Sequence, residues 1–431
     1  GGPTASALFV PGQAANVGNF DIEPETVGTQ GNLDGIDERS VYNISLQLNW
    51  DLDIGTLTST TSWDKIDEIA TGEQPIRTAD RTQVNTQWRF SEAISQELRL
   101  TSPDDQPLRW IAGGYIVQTD TFLNATTLLD SNGFSSSADL VKTDPGPAAD
   151  CVGNPFPLAL NDPGVNCTRS HDSDSQDNLA YAVFGQINYD LTDTVELSLS
   201  ARYDRDEREQ TVGTPQRVLN RFQDTPDVDG VPNISFGQVR KQNYDSFQPK
   251  LTVRWMPQDN FMAYATYAEG FRSGGFNRAA VGALADFFRP ISALPIVLGI
   301  EDTYEQQDNK GVEVGFKYNS PDNRFLLNVA GFYTEIDNYQ TFTAATISTL
   351  LTQVIIPVDE VELMGFEIDA TARLHDYFAV NASFGLTDSE VIKDTSRPTA
   401  GNKAPATPDY TFNLGGQFNM PITLGGMDGE I

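Results

Sequence analysis

Between residues 181 and 204 the side chains alternate between two chemical classes. Tyr181, Val183, Gly185, Ile187 and Tyr189 take one parity, and Ala182, Phe184, Gln186 and Asn188 take the other. A tight polar turn, Asp190-Leu191-Thr192-Asp193, follows. The next stretch sets Val195, Leu197, Leu199, Ala201 and Tyr203 against Glu196, Ser198, Ser200, Arg202 and Asp204. In an extended chain, alternate side chains point to opposite faces. The segment therefore reads as a β-hairpin with one oily face tipped by tyrosine and one charged, amide-rich face. A single hairpin of this kind fits many sheets. Its recurrence along the whole chain is the constraint.

The same unit returns with Tyr42, Ile44, Leu46, Leu48 and Trp50, with Ile94, Leu98 and Leu100, and with Pro249, Leu251, Val253 and Trp255. It returns again with Val312, Val314, Phe316 and Tyr318, and with Phe366, Ile368, Ala370, Ala372 and Leu374. Tyr410, Phe412, Leu414, Gly416 and Phe418 open one more. About 13–14 strands are readable in this way. The strand from Phe261 to Phe271 mixes apolar residues on both parities, and its faces cannot be assigned from sequence. Connections alternate between turns of a few residues and long polar loops, expected at about 1–40, 67–93, 122–177, 209–243, 272–308, 337–362 and 389–408. A soluble sandwich has no reason to sort its loops by parity. A transmembrane barrel has short turns at one end and long loops at the other. The expected fold is thus all-β, a transmembrane antiparallel β-barrel.

Hydropathy agrees once strand geometry is considered. The 431 residues are 39% apolar, with mean hydropathy −0.35, and no run approaches the roughly 18 apolar residues of a membrane helix. A barrel strand turns half its residues away from lipid, which dilutes the signal. The net charge of −32 argues against nucleic acid, which needs basic patches. A bilayer core offers no hydrogen-bonding partners, so a sheet that crosses it must close. Trp50, Trp110, Tyr189, Trp255, Phe261, Tyr318, Phe325, Tyr377 and Phe378 cluster beside the short turns, as an interfacial aromatic girdle would. Glu196, Arg202, Glu313, Lys317, Glu367, Asp369 and Arg373 fall on the other parity. Facing lipid, such charges would cost about 2–4 kcal/mol each near the midplane, so that parity is expected to face a wet lumen.

The segment FMAYATYAEGFRSGGFN, from Phe261 to Asn277, resembles a barrel segment of TonB-dependent outer-membrane receptors of alphaproteobacterial type. SQELRLTS from Ser95, LRWIAGGY from Leu108, GVEVGFKY from Gly311, GFEIDATARL from Gly365 and NKAPATPDYTFNLGGQF from Asn402 resemble further pieces in the same order. The resemblance implies a barrel of about 22 strands, of which this chain is the middle portion. The plug domain, the box that binds TonB and the terminal strands are then outside this chain. It also implies energy-coupled import across the bacterial outer membrane, with TonB, outer-membrane lipid, lipopolysaccharide and an extracellular small molecule as partners. A ferric siderophore is the leading ligand. A carbohydrate, an aromatic compound or cobalamin is the alternative within transport, and a passive porin or a secreted adhesin is the alternative outside it.

Local candidates are sparse. Cys151 and Cys167 lie in a Pro/Gly/Asp-rich stretch and read as a disulfide closing a surface loop in an oxidising compartment. A metal site is the rival, with no histidine between them. Asp227, Asp229 and Gly230 start like a calcium loop, but the later ligands miss the spacing. Asp204, Asp206, Glu207 and Glu209 form an acidic strand tip that reads as solvated. Arg272 and Asn277 sit where a strand leaves the membrane, and Arg272 could hold an anionic ligand bidentately. His171 and His375 are too far apart for a catalytic set, so no enzyme activity, cofactor or metal is expected.

Overall fold

The computed structural model describes residues 36–73, 83–129, 168–214, 216–219, 233–282, 300–347, 350–424 and 427–430. Cys151, Cys167 and the Asp227–Gly230 stretch lie outside them. The strands are β1 (Ile36–Leu52), β2 (Gly55–Glu73), β3 (Gln83–Thr101), β4 (Leu108–Leu129), β5 (Thr168–Thr192), β6 (Val195–Val212), β7 (Val239–Gln258) and β8 (Phe261–Arg272). A small ribbon of β9 (Gly275–Phe276) and β10 (Thr303–Tyr304) follows, then β11 (Gln307–Asn319), β12 (Phe325–Ile347), β13 (Leu350–His375), β14 (Phe378–Lys393) and β15 (Tyr410–Phe418). β16 (Pro421–Leu424) and β17 (Met427–Glu430) pair as a short hairpin. Apart from β9, β10, β16 and β17, all join one 13-stranded antiparallel sheet in simple chain order. Among the described residues its edges are β1 and β15.

Register fixes which side chains share a face. One cross-strand row reads Tyr189, Leu197, Val253, Ala265, Val314, Gly331, Phe366, Leu386 and Tyr410. The row beside it reads Asp190, Glu196, Arg254, Tyr264, Gly315, Ala330, Glu367, Gly385 and Thr411. Leu199 and Val314 are each 55% exposed, while Glu196 is 9% exposed. The oily face is therefore the open one, and the charged face is the crowded one. A water-soluble sheet does the reverse. Apolar outside and polar inside is the pattern of a lipid-embedded wall, and the seven charged residues expected in the lumen all fall on the inner side. The register also settles β8: Ala263, Ala265 and Tyr267 face outward, and Tyr264, Thr266 and Ala268 face inward.

Aromatics mark both edges of the apolar band. At the short-turn end Trp255 meets Phe261 edge-on at 6.1 Å, Phe261 stacks on Phe316 at 6.0 Å, and Tyr318 lies 6.5 Å from Phe325. At the long-loop end a second girdle appears that the sequence did not reveal. There each outward ring gives its polar edge to a carboxylate: Trp63 Nε1 to Glu92 at 2.7 Å, Trp88 Nε1 to Asp67 at 2.9 Å, Tyr267 Oη to Glu269 at 2.5 Å and Tyr333 Oη to Glu335 at 3.1 Å. A ring in lipid with its polar edge tied to a wetted charge is the interfacial arrangement.

The loop boundaries read from sequence need correction. β2 runs on to Glu73 and β3 starts at Gln83, inside the expected 67–93 loop. β4 and β5 invade the 122–177 loop, and β6 and β7 the 209–243 loop. β1 starts inside the expected 1–40 loop, and β14 enters the 389–408 loop. The expected loop at 337–362 is mostly a ribbon of β12 and β13, paired as far as Ile347 with Leu350. Above the membrane both faces of a strand can be polar. Alternation then stops while the hydrogen-bond ladder continues.

Inside the wall, rings lie flat on glycines of the neighbouring strand. A Cβ at Gly315 would stand 2.8 Å from Tyr264 Oη and 2.6 Å from Val329 O. A Cβ at Gly365 would stand 2.7 Å from Phe332 Cζ and 2.2 Å from the Leu386 carbonyl. The second obstacle is backbone and cannot step aside. Gly365→Val is expected to destabilise the barrel by about 1–3 kcal/mol through overpacking. A drop in the temperature at which the protein loses its compact mobility on SDS gels checks this. Unchanged heat-modifiability would refute the close-contact account.

Candidate functional site

Part of the inner wall, from β4 to β7, carries charges paired with opposite charges. Near the short-turn end Arg109 bridges Asp190 with two bonds of 2.7 Å and reaches Glu196 at 2.6 Å. Arg254 bonds the other Glu196 oxygen. These residues share one face because β4, β5, β6 and β7 are consecutive neighbours. At mid-height Tyr264 Oη donates to Glu313 at 2.6 Å. The ring can reach because it lies over Gly315. Higher up, Arg202 forks onto Asp204 with bonds of 2.6 Å, and its guanidinium sits 5.7 Å from the Phe184 ring.

The acidic tip of β6 is likewise paired, each carboxylate with a cation on its own face. Asp204 takes Arg202, and Asp206 takes Arg208 at 2.9 Å on the inner face. Glu207 takes Arg205 at 3.1 Å, and Glu209 takes Lys241 at 2.5 Å on the outer face. Residues i and i+2 share a face of a strand, which explains the spacing. These groups are matched, and the cluster offers no open set of carboxylates. Among the described residues no group of His, Cys, Asp and Glu is arranged to hold a metal.

Arg272 ends β8 opposite Gln307, on the inner parity with Tyr264, Thr266 and Ala268. It is exposed, and among the described residues its guanidinium makes no hydrogen bond or ion pair. Asn277 has the opposite character. It is 6% exposed, and its amide is fully engaged with main chain. Nδ2 donates to Glu301 O and Ile355 O at 2.8 Å each, and Oδ1 accepts from Ile355 N at 2.9 Å. The structure thus brings the two candidates to the same rim and gives them different surroundings.

The rest of that rim was not legible in the sequence. The β9–β10 ribbon forms the neck of the loop between β8 and β11. Arg240, on the inner face of β7, donates to Gln210 Oε1 at 2.9 Å, to Asp302 O at 3.3 Å and to Asn277 O at 3.2 Å. Its guanidinium also lies 5.1 Å from the Phe276 ring. Burial lowers the pKa of Arg240 from its ordinary value, with Asp302 opposing the shift, and burial pushes the Asp302 carboxyl up. From the other side Gln340 Nε2 faces the carbonyls of Arg272, Ser273 and Glu305 at 3.4, 3.0 and 2.9 Å. Gln340 is reached because β12 kinks at Asn338, which has φ 53°. No periodic signal marks Gln210, Arg240 or Gln340. Only the fold brings them to the neck.

Comparison with known proteins follows from this geometry. The family model described as "TonB dependent receptor-like, beta-barrel" matches residues 2–428. The ferric yersiniabactin uptake receptor FyuA from Yersinia pestis superposes with a TM-score of 0.62 at 16% identity, covering 91% of this chain and 48% of that one. The siderophore receptor PiuA from Acinetobacter baumannii gives 0.56 at 18% identity, covering 89% and 52%. The copper transporter OprC gives 0.56 at 12% identity, covering 86% and 50%. The chain spans about half the length of these structures. At such identities the likeness is one of fold.

Proposed function

The chain belongs to the TonB-dependent receptor family, as part of the β-barrel that its members place in the bacterial outer membrane, and on that premise we propose that it is the wall of a receptor for energy-coupled uptake of a scarce anionic ligand, a ferric siderophore. TonB would drive the receptor through the family's plug domain. The aromatic–carboxylate pairs of the outer girdle would face outer-leaflet lipid and lipopolysaccharide. The observation that carries the ligand class is Arg272. Among the described residues its guanidinium makes no hydrogen bond or ion pair, and it stands on the inner parity at the end of β8 away from the short turn. Being exposed, the guanidinium can attract an anion. Planar, five-donor guanidinium suits the carboxylate and catecholate oxygens of such complexes. Two of the solved structures it resembles are a ferric yersiniabactin uptake receptor and a siderophore receptor, which supports the choice of iron over other cargoes.

The test uses cells carrying the full-length gene. Iron starvation should induce the protein, and uptake of a radiolabelled ferric siderophore should stop when a protonophore collapses the inner-membrane gradient. Induction by a carbon source would redirect the reading to a nutrient importer. Uptake that ignores the protonophore would point to a passive pore.

A further inference from the structure

We infer that Asn277 is a positioning residue: it fixes the neck of the β8–β11 loop, and so fixes where Arg272 stands. This rests on the reading of Arg272 as the ligand contact. The two candidates then divide the work, with Arg272 meeting the anion and Asn277 holding the frame.

A continuous hydrogen-bond chain crosses the rim through Asn277. Gln210 on β6 accepts from Arg240 on β7, Arg240 donates to the Asn277 carbonyl, and the Asn277 amide exchanges bonds with both main-chain groups of Ile355 on β13. In the sheet, β8, β11 and β12 lie between β7 and β13. The chain therefore spans wall segments that do not touch through the ladder. The Asn277 amide copies a strand neighbour: it gives a donor to Ile355 O and an acceptor to Ile355 N. A side chain used this way caps backbone groups that would otherwise be orphaned.

The neck has little freedom to settle elsewhere. Gln210 is 2% and Asn277 6% exposed. The Arg240 cation is satisfied by a side-chain amide, two carbonyls and an aromatic face. Displacing the neck would strip those acceptors from a desolvated cation, which is costly. On the opposite side Gln340 faces the carbonyls of Arg272 and Ser273. Arg272 is thus the last residue of β8, between the wall below and a neck clamped from both flanks.

The test uses the full-length receptor in nanodiscs, with Asn277→Ala, Asn277→Asp, Gln340→Ala and Arg272→Ala. Hydrogen exchange is followed at Ile355 and over residues 272–277 and 303–306. The rate at which phenylglyoxal modifies Arg272 is read by mass spectrometry. Asn277→Ala should speed exchange at Ile355 by about tenfold or more, as expected for a lost bond to a part-buried amide. The change should spread into 272–277 and 303–306, and the Arg272 modification rate should shift about threefold or more. Asn277→Asp keeps the acceptor but loses the donors. It should protect Ile355 better than alanine does, yet still release Arg272. Gln340→Ala leaves the Asn277 amide intact and should also release Arg272. Faster exchange confined to Ile355, with the Arg272 rate unchanged in all three variants, would overturn the inference. Arg272→Ala should leave exchange over the neck as in the parent. Its effect on binding of a ferric tris-catecholate decides the ligand reading separately.

Discussion

Phe384→Arg is expected to lower the unfolding free energy of the barrel by about 2–4 kcal/mol, the cost of a cation facing lipid near the midplane. Ser383→Arg, one position earlier, is expected to leave it within about 0.5 kcal/mol, as for ordinary exposed sites. The contrast follows from the register. Phe384 pairs with Ile368 and Phe412 and lies 5.9 Å from the Phe366 ring, all on the outer face. Ser383 pairs with Asp369 and Asn413 on the inner face, where a new guanidinium meets a carboxylate and water. The two positions share a strand, a depth and a distance from the turn, so face is the variable that differs. Denaturant titration of the full-length receptor refolded into lipid vesicles checks the pair. If both arginines cost the same, the apolar face is not in contact with lipid, and the barrel reading fails with it.

The parts of the fold that were legible in the sequence are those where lipid imposes a period. Leu197, Phe316 and Ile368 had to take one parity because their neighbours Glu196, Lys317 and Glu367 could not. Short turns were visible because their polar residues interrupt that period. Legibility ended where lipid stopped dictating. β8 was unreadable because Tyr264 turns inward onto Gly315 to reach Glu313, while small Ala263 and Ala265 take the lipid side. Aromatic inside and alanine outside inverts the expected code. Above the girdle, β12 and β13 continue as a ribbon past Asp337, where Val354, Ile355, Ile356 and Val358 run without apolar–polar alternation and Val354, Ile356 and Val358 are buried, so no lipid-type period announces it. At the rim, Arg272 and Asn277 stood out as candidates because they lie at the end of a recognisable segment. What separates them, a guanidinium with no bond among the described residues against a fully bonded amide, depends on Arg240, Gln340 and Ile355. These partners are remote in sequence and carry no mark of their own.

Replacing Arg272 should weaken capture of an anionic ferric siderophore in a graded series. Loss of charge-assisted hydrogen bonds is worth about 1.5–3 kcal/mol, so Arg272→Ala should raise Kd roughly 10- to 150-fold. Arg272→Lys keeps the charge and loses the planar fork, so its loss should be smaller. Arg272→Glu adds repulsion to the loss of the bonds, and its effect should equal or exceed that of alanine. Because the guanidinium is exposed, part of the attraction is screened. The wild-type advantage over Arg272→Ala should therefore shrink between 0.15 M and 1 M salt, where the screening length falls from about 8 to about 3 Å. Heat-modifiability should not change across the series, since among the described residues the side chain makes no hydrogen bond or ion pair. Fluorescence quenching on ligand binding and uptake of the radiolabelled complex measure the two ends of the process. Should alanine bind within twofold of wild type at both salt concentrations, the anion is held elsewhere and Arg272 is a bystander at the mouth.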